Sequence, residues 1–266
     1  MTCLYLNPVF EAQSNHRYDT EDYCQIDPLL GSEADFSSLC KEAAKRKIRV
    51  MLDGVFSHTG SDSVYFNQNG RYPGLGAYQS QQSPYYSWYQ FRTWPDDYAS
   101  WWGVKILPEV HEEDPGFLKF ITGENGVVRK WLRAGASGWR LDVAADLGRS
   151  AGMNHQFWRD FRAAVKEANP EAVMIAEHYG SPYDWLKGDQ WDTVMNYDAF
   201  MEPLSWFLTG MEKHSDEENP ALFGDGCAFF EAMRYHMSEM PTASVQCAMN
   251  ELSNHDHSRF MTRTNR

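Results

Sequence analysis

Gly138-Trp139-Arg140-Leu141-Asp142-Val143 is the stretch on which the reading of this chain turns. It reads as a short buried strand that carries two charges. Arg140 and Asp142 sit two apart, and side chains at i and i+2 of a strand share a face. A guanidinium beside a carboxylate keeps that carboxylate ionised, which suits a nucleophile more than a general acid. A structural ion pair is the plainer reading of the same two residues.

Outward from this strand, apolar runs alternate with helical patterns. Upstream, residues 3–6 form an apolar run that ends at Asn7-Pro8. A helical pattern covers 32–47, and 49–56 is strand-like. Asp114-Pro115 announces a helix, an N-cap followed by proline in the first turn; it runs to about 134 with a break near 123–126. Downstream come a helix over 154–168 with Pro170 beyond its end, strands over 173–177 and 192–197, helical material broken near Asn219-Pro220 and resuming to about 240, and a last strand over 244–250. Six strands alternating with helices imply parallel strands joined by crossovers. A polar or charged residue stands at or after most strand ends: Asn7, Asp53, Asp142, Glu177 and the run Asn254-His255-Asp256. Carboxylates at the C-terminal ends of several strands are the layout of a TIM-barrel active site. A doubly wound sheet also gathers ligands there, but no Gly-rich phosphate loop follows any strand here. The expected fold is therefore α/β, a (β/α)8 barrel.

Composition narrows the classes. The 266 residues carry 24 basic and 37 acidic side chains, a formal charge of −13; nucleic acid would want a basic face. A hydrophobic fraction of 42% argues against disorder. No apolar run reaches the roughly 18 residues of a membrane helix, and the opening residues lack the pattern of a signal peptide. Cys3, Cys24, Cys40, Cys227 and Cys247 are scattered, odd in number and without a CxxC pair. They read as buried, reduced thiols in a reducing compartment, the cytoplasm. Oligomeric state is left open.

The span 57–113 breaks the strand–helix rhythm. Between Tyr65 and Trp102, 38 positions carry 13 aromatics. A stretch this long is usually functional or a small subdomain; its rings either build a local core or stack on a flat ligand such as a sugar. Glu177 ends an apolar strand, where a carboxyl is easily desolvated, which suits a general acid; a satisfied structural carboxylate is the alternative. His58, His255, Asp256 and His257 are conceivable metal ligands, but no HExxH or i, i+4 histidine pair appears. Donors to sugar hydroxyls are the more economical reading. Two carboxylates acting as nucleophile and acid/base are the equipment of a retaining glycosidase, with carboxyl groups about 5–5.5 Å apart.

Taken together, the strand ends resemble the α-amylase family of glycoside hydrolases (family 13). Asp53-Gly54-Val55-Phe56-Ser57-His58 looks like its first motif, Gly138 to Ala144 its second, Ile175-Ala176-Glu177-His178 its third and Ser253-Asn254-His255-Asp256 its fourth. The segment from His16 to Tyr23 resembles the one after the second barrel strand, and Ile106-Leu107-Pro108-Glu109-Val110 the motif closing the inserted domain B. The wording around Tyr18 and Leu107-Pro108-Glu109 is most like neopullulanases, cyclomaltodextrinases and maltogenic amylases.

The resemblance implies a retaining α-glucan hydrolase that cleaves α-1,4 or α-1,6 glucosidic bonds in maltodextrins, cyclodextrins or pullulan through a covalent glycosyl-enzyme. Asp142 would be nucleophile, Glu177 acid/base, and Asp256 a holder of sugar hydroxyls that helps distort the ring. Arg140 would orient Asp142, His58 and His255 would hydrogen-bond the sugar, Tyr18 would stack beneath it, and Asp53 would be structural support. It implies barrel parts over 1–56 and 114–266 with domain B over 57–113, inserted after the third barrel strand.

The family's first motif usually has Asn where Ser57 stands, and its domain B motif often Asp where Glu109 stands. Both departures weaken the case for the family's structural calcium, which wants six to eight oxygens in place; calcium is a weakly supported option, and no metal or cofactor is expected. His178 stands where an apolar residue is common. The resemblance runs from the second barrel strand to just after the seventh, so the barrel is expected to be incomplete and the isolated chain to be marginal or aggregation-prone. The competing expectation is a catalytically inert member or fragment that only binds sugar.

Overall fold

The computed structural model describes residues 2–213 and 215–264. The chain forms two compact units, Met1–Met174 and Ile175–Arg266.

In the first unit, strand β1 (Cys3–Tyr5) leads into an antiparallel hairpin, β2 (Phe10–Ala12) with β3 (Thr20–Ile26), which the alternation pattern did not reveal. Helix α1 (Glu33–Lys45) starts at a reciprocal cap: the Ser32 hydroxyl accepts from Asp35 N–H, and the Asp35 carboxylate accepts from Ser32 N–H. Strand β4 (Arg49–Gly54) follows. Next come the short β5 (Phe91–Thr93) and β6 (Asp97–Tyr98), which pair antiparallel inside the span 57–113. Helix α2 (Pro115–Thr122) is capped by Asp114, and α3 (Val127–Ala134) begins after the expected break. Strand β7 (Gly138–Leu141) and helix α4 (Ala151–Ala168) complete the sequence of elements up to β8 (Val173–Ala176). Helix α4 starts one turn earlier than its apolar pattern indicated because the Ser150 side chain caps it.

β1, β4 and β7 are neighbours in parallel, with Tyr5 opposite Met51 and Asp53 opposite Arg140. Gly138 is required where β7 meets the start of β8: a Cβ there would lie 2.2 Å from the Val173 carbonyl oxygen. The core is unusually aromatic, with Trp131, Trp139, Trp158, Phe10, Phe56 and Phe117 fully buried. In the span 57–113, Phe66 is buried against Tyr78, Tyr89, Phe91 and Tyr98 at 4.8–5.9 Å between ring centroids. Most rings there serve the local core, where their area is worth most.

In the second unit the end of β8 pairs in parallel with β9 (Thr193–Val194). Then follow a π-type turn (Tyr197–Met201), α5 (Glu202–Thr209), α6 (Gly226–Ser238), α7 (Thr242–Cys247) and α8 (Phe260–Thr264). The strand expected over 244–250 is replaced: most of it is helix α7. The run has a single β-branched residue, Val245, and follows Pro241, so little holds it extended. Only Met249 keeps a ladder position, donating to Val194 O at 3.1 Å and accepting from Asn196 N–H at 3.0 Å. Among the described residues no helix is long and apolar enough to cross a membrane.

Candidate active site

Parallel register assembles the first cluster. Because Asp53 on β4 faces Arg140 on β7, and Asp142 lies two residues beyond Arg140, one buried guanidinium serves both carboxylates. Arg140 Nη1 donates to Asp53 Oδ1 at 2.9 Å, to Asp53 Oδ2 at 3.2 Å and to Asp142 Oδ1 at 2.5 Å. Arg140 is fully buried, Asp53 1% and Asp142 7% exposed. Two phenols complete the cage: Tyr5 and Tyr18 hydroxyls donate to Asp53 Oδ2 at 2.5 and 2.9 Å. Burial first, and the Asp53 charge second, push both phenols well above the usual tyrosine range, so they stay protonated donors. Tyr5 carries no motif, and sequence reasoning misses it; its place at the end of β1 is the only available signal.

Asp142 itself is held by its backbone N–H to Gly54 O at 3.0 Å. The next residue, Val143, has φ 38° and ψ 45°. A β-branched residue in the left-handed region is costly and persists only where the surroundings over-determine it, typically at functional sites. The strain turns the chain sharply just after the carboxylate.

His58 is buried, with Ser57 Oγ at 2.9 Å from Nδ1 and the Tyr18 carbonyl at 3.1 Å from Nε2. Burial pushes its pKa down to about 4, so it is neutral at pH 7. The structure thus joins Tyr18, Asp53, His58, Arg140 and Asp142 in one unit. Ser57 Oγ is spent on His58, and among the described residues no group of three or more His, Cys, Asp or Glu could hold a metal ion.

Glu112 is a buried carboxyl that no motif marked. Gly148 N–H donates to it at 3.1 Å, and burial pushes its pKa up to about 8. Between the free value near 4.5 and about 8 the folded chain holds a proton that the unfolded chain releases, so stability falls as pH rises through that window. His58 works oppositely: its depressed value adds stability that is present above about 6.5 and lost as pH falls toward 4. The two oppose each other below pH 6.5, leaving Glu112 dominant above it. Urea unfolding should show lower stability at about pH 8 than at about pH 6.5, by up to about 1.4 kcal/mol per pH unit. Glu112→Gln should flatten that decline; an unchanged slope would show that Glu112 is ionised in the folded chain.

The second unit holds the remaining site residues. Glu177 follows β8 and is 6% exposed. His255 Nε2 lies 3.2 Å from Asp256 Oδ1, and Asp256 N–H donates to Asn254 Oδ1 at 3.1 Å. Asn254 Nδ2 donates to the Tyr197 hydroxyl at 2.8 Å. Below that ring lies Lys213, fully buried, its Nζ 3.4 Å from the Tyr197 ring centroid and 4.8 Å from that of Tyr179. Burial pushes Lys213 down to about 8, while Glu202, Asp198, Glu177 and Glu251 pull it back up. The sequence offers no sign of Lys213, since a lone lysine between glutamate and histidine reads as solvated.

The chain is 36% identical over 283 residues to an amylopullulanase of Thermoanaerobacterium thermosulfurigenes, covering 98% of the chain and 15% of that protein. It is 33% identical to neopullulanase 2 of Thermoactinomyces vulgaris, covering 98% of the chain and 41% of that protein. Among solved structures, the debranching enzyme of Nostoc punctiforme superposes with a TM-score of 0.86 at 31% identity, covering all of this chain and 54% of that one. The Thermus thermophilus protein Ttha1563 gives 0.85 at 32% identity, covering 99% and 55%. The chain thus spans less than half of these curated relatives and about half of the solved ones. The model of the alpha amylase catalytic domain matches residues 1–266, and with the parallel strands and carboxylate-bearing strand ends described above this chain belongs to the alpha-amylase family.

Proposed function

We propose that the chain is the catalytic part of a retaining α-glucan hydrolase that acts on α-1,4 bonds, and on α-1,6 bonds as a second specificity, in maltodextrins, cyclodextrins or pullulan. The observation that carries this reading is the Asp53–Arg140–Asp142 cluster followed by the strained Val143. It supplies a carboxylate paired with and aimed by one buried guanidinium.

Asp142 attacks the anomeric carbon as the glycosidic C–O bond breaks, and Glu177 gives its proton to the leaving oxygen. The product of this step is a β-glycosyl ester on Asp142. Water, deprotonated by Glu177, then displaces the ester and restores the original configuration. Asp256 and His255 hold hydroxyls of the reacting sugar, and the Tyr18 ring lies under it; His58, expected to bond the sugar, instead gives its one N–H to the Tyr18 carbonyl and so positions that residue. The span 57–113 is the inserted domain B of this arrangement, between barrel parts at 1–56 and 114–266. Of the five cysteines expected to be buried, Cys40 alone is, while Cys3, Cys227 and Cys247 are exposed and Cys24 is half-buried; the Cys40 thiol, pushed up to about 11 by burial, is suited to staying reduced, and a cytoplasmic setting fits.

Reducing-end release from maltotriose, a cyclodextrin and pullulan tests the reading. Release from any of them, with the same anomer formed as was cleaved, is the expected result. Saturable binding of maltotetraose without turnover would replace it with a sugar-binding member of the family.

A further inference from the structure

Trp102 carries two costs within the fold. Its side chain is 82% exposed, forgoing the gain of burying a large aromatic surface. Its backbone sits in the left-handed region at φ 49°, as does the following Gly103 at φ 78°, which costs a non-glycine residue about 1–2 kcal/mol.

The turn holding it is firmly tied. Trp101 N–H donates to Leu107 O, Gly103 N–H to Ser100 O, Val104 N–H to Trp101 O and Leu107 N–H to Val104 O, each at 2.9 Å. Tyr98 Oη donates to Lys105 O at 2.9 Å, while Lys105 Nζ donates back to Tyr98 O at 3.1 Å. The ring therefore stands out from a pinned turn. It is nearly parallel to Trp101, at 5.3 Å and 19°, and Trp101 in turn packs at 5.5 Å from His58. Three rings thus run in file from buried His58, which is bonded to the Tyr18 carbonyl, out to solvent.

We propose that the outer face of Trp102 is a stacking platform for a glucosyl ring of a longer α-glucan, beyond the reacting ring. The inference rests on the hydrolase reading for its choice of ligand. A flat, rigid indole matches the C–H face of a pyranose, and its preorganisation removes the ordering cost of binding. Continuity of the file, through His58, with the Tyr18–Asp53–Arg140–Asp142 cluster favours a sugar over a protein partner.

The test compares the unaltered chain with Trp102→Ala and Trp102→Phe. Turnover of maltotriose and maltoheptaose is measured, along with maltoheptaose affinity from tryptophan fluorescence. Trp102→Ala should raise KM and Kd for maltoheptaose about five- to tenfold while changing KM for maltotriose less than about twofold; Trp102→Phe should restore most of the difference. Equal effects on both lengths, or none, would overturn the platform. If the unaltered chain fails to turn over either sugar, the hydrolase reading falls, and the fluorescence Kd values still decide the platform. A loss of self-association in Trp102→Ala, by sedimentation, with sugar affinity unchanged would assign the ring to contact with a second copy and overturn it too.

Discussion

Asp142→Asn is expected to lower reducing-end release by at least about 10³-fold, since loss of a nucleophile in a hydrolase costs several orders of magnitude. The substitution keeps the side chain's shape and leaves an oxygen to accept from Arg140 Nη1, which now lies 2.5 Å from Asp142 Oδ1. What disappears is the negative charge and the ability to form a glycosyl ester. The fold should survive, because Asp53 continues to engage Arg140 through both of its oxygens. An unfolding transition close to that of the parent, beside vanished turnover, is the combined signature. A loss smaller than tenfold would remove Asp142 from the nucleophile's role and with it the covalent mechanism.

Arg140→Met should have the largest effect on stability. The guanidinium is fully buried and is the cation shared by Asp53 and Asp142. Removing one partner of a buried pair leaves uncompensated charge and typically costs about 3–5 kcal/mol. That is a large share of the roughly 5–15 kcal/mol that holds a domain together. Tyr5 and Tyr18 would still donate to Asp53, so the damage should fall hardest on Asp142. Asp53→Asn combined with Arg140→Met should recover part of the loss, a coupling that a double-mutant cycle reads directly. A change below about 1 kcal/mol in urea unfolding would mean that water reaches the cluster and that the pair is not buried in solution.

Much of this organisation was legible in the order of residues. The apolar runs before Asp53, Asp142 and Glu177 are strands as expected, and the caps at Ser32 and Asp114 start helices where polar side chains stand before apolar patterns. The break within 114–134 falls where Gly123 and Gly126 interrupt the helical residues. The misreadings have a common cause. The run 244–250 is apolar and short, and a short apolar run does not distinguish a strand from a buried helix; the hydrogen bonds available around Met249 settled it. The hairpin of β2 and β3 was hidden because Glu21 and Asp22 interrupt any apolar alternation, yet Glu21 is buried and receives hydrogen bonds from Arg71 and Tyr72.

Local spacing determined that Arg140 and Asp142 share a face and that carboxylates stand at strand ends, because side-chain direction follows from the two-residue period of the backbone. It could not determine which residues from elsewhere arrive beside them. Tyr5 reaches Asp53 because β1 aligns with β4, and Lys213 is buried under Tyr197 because the chain beyond α5 returns over the π-type turn. The left-handed Val143 is likewise a tertiary result: nothing in its own chemistry favours that conformation, and such a residue persists only where the surrounding structure over-determines it.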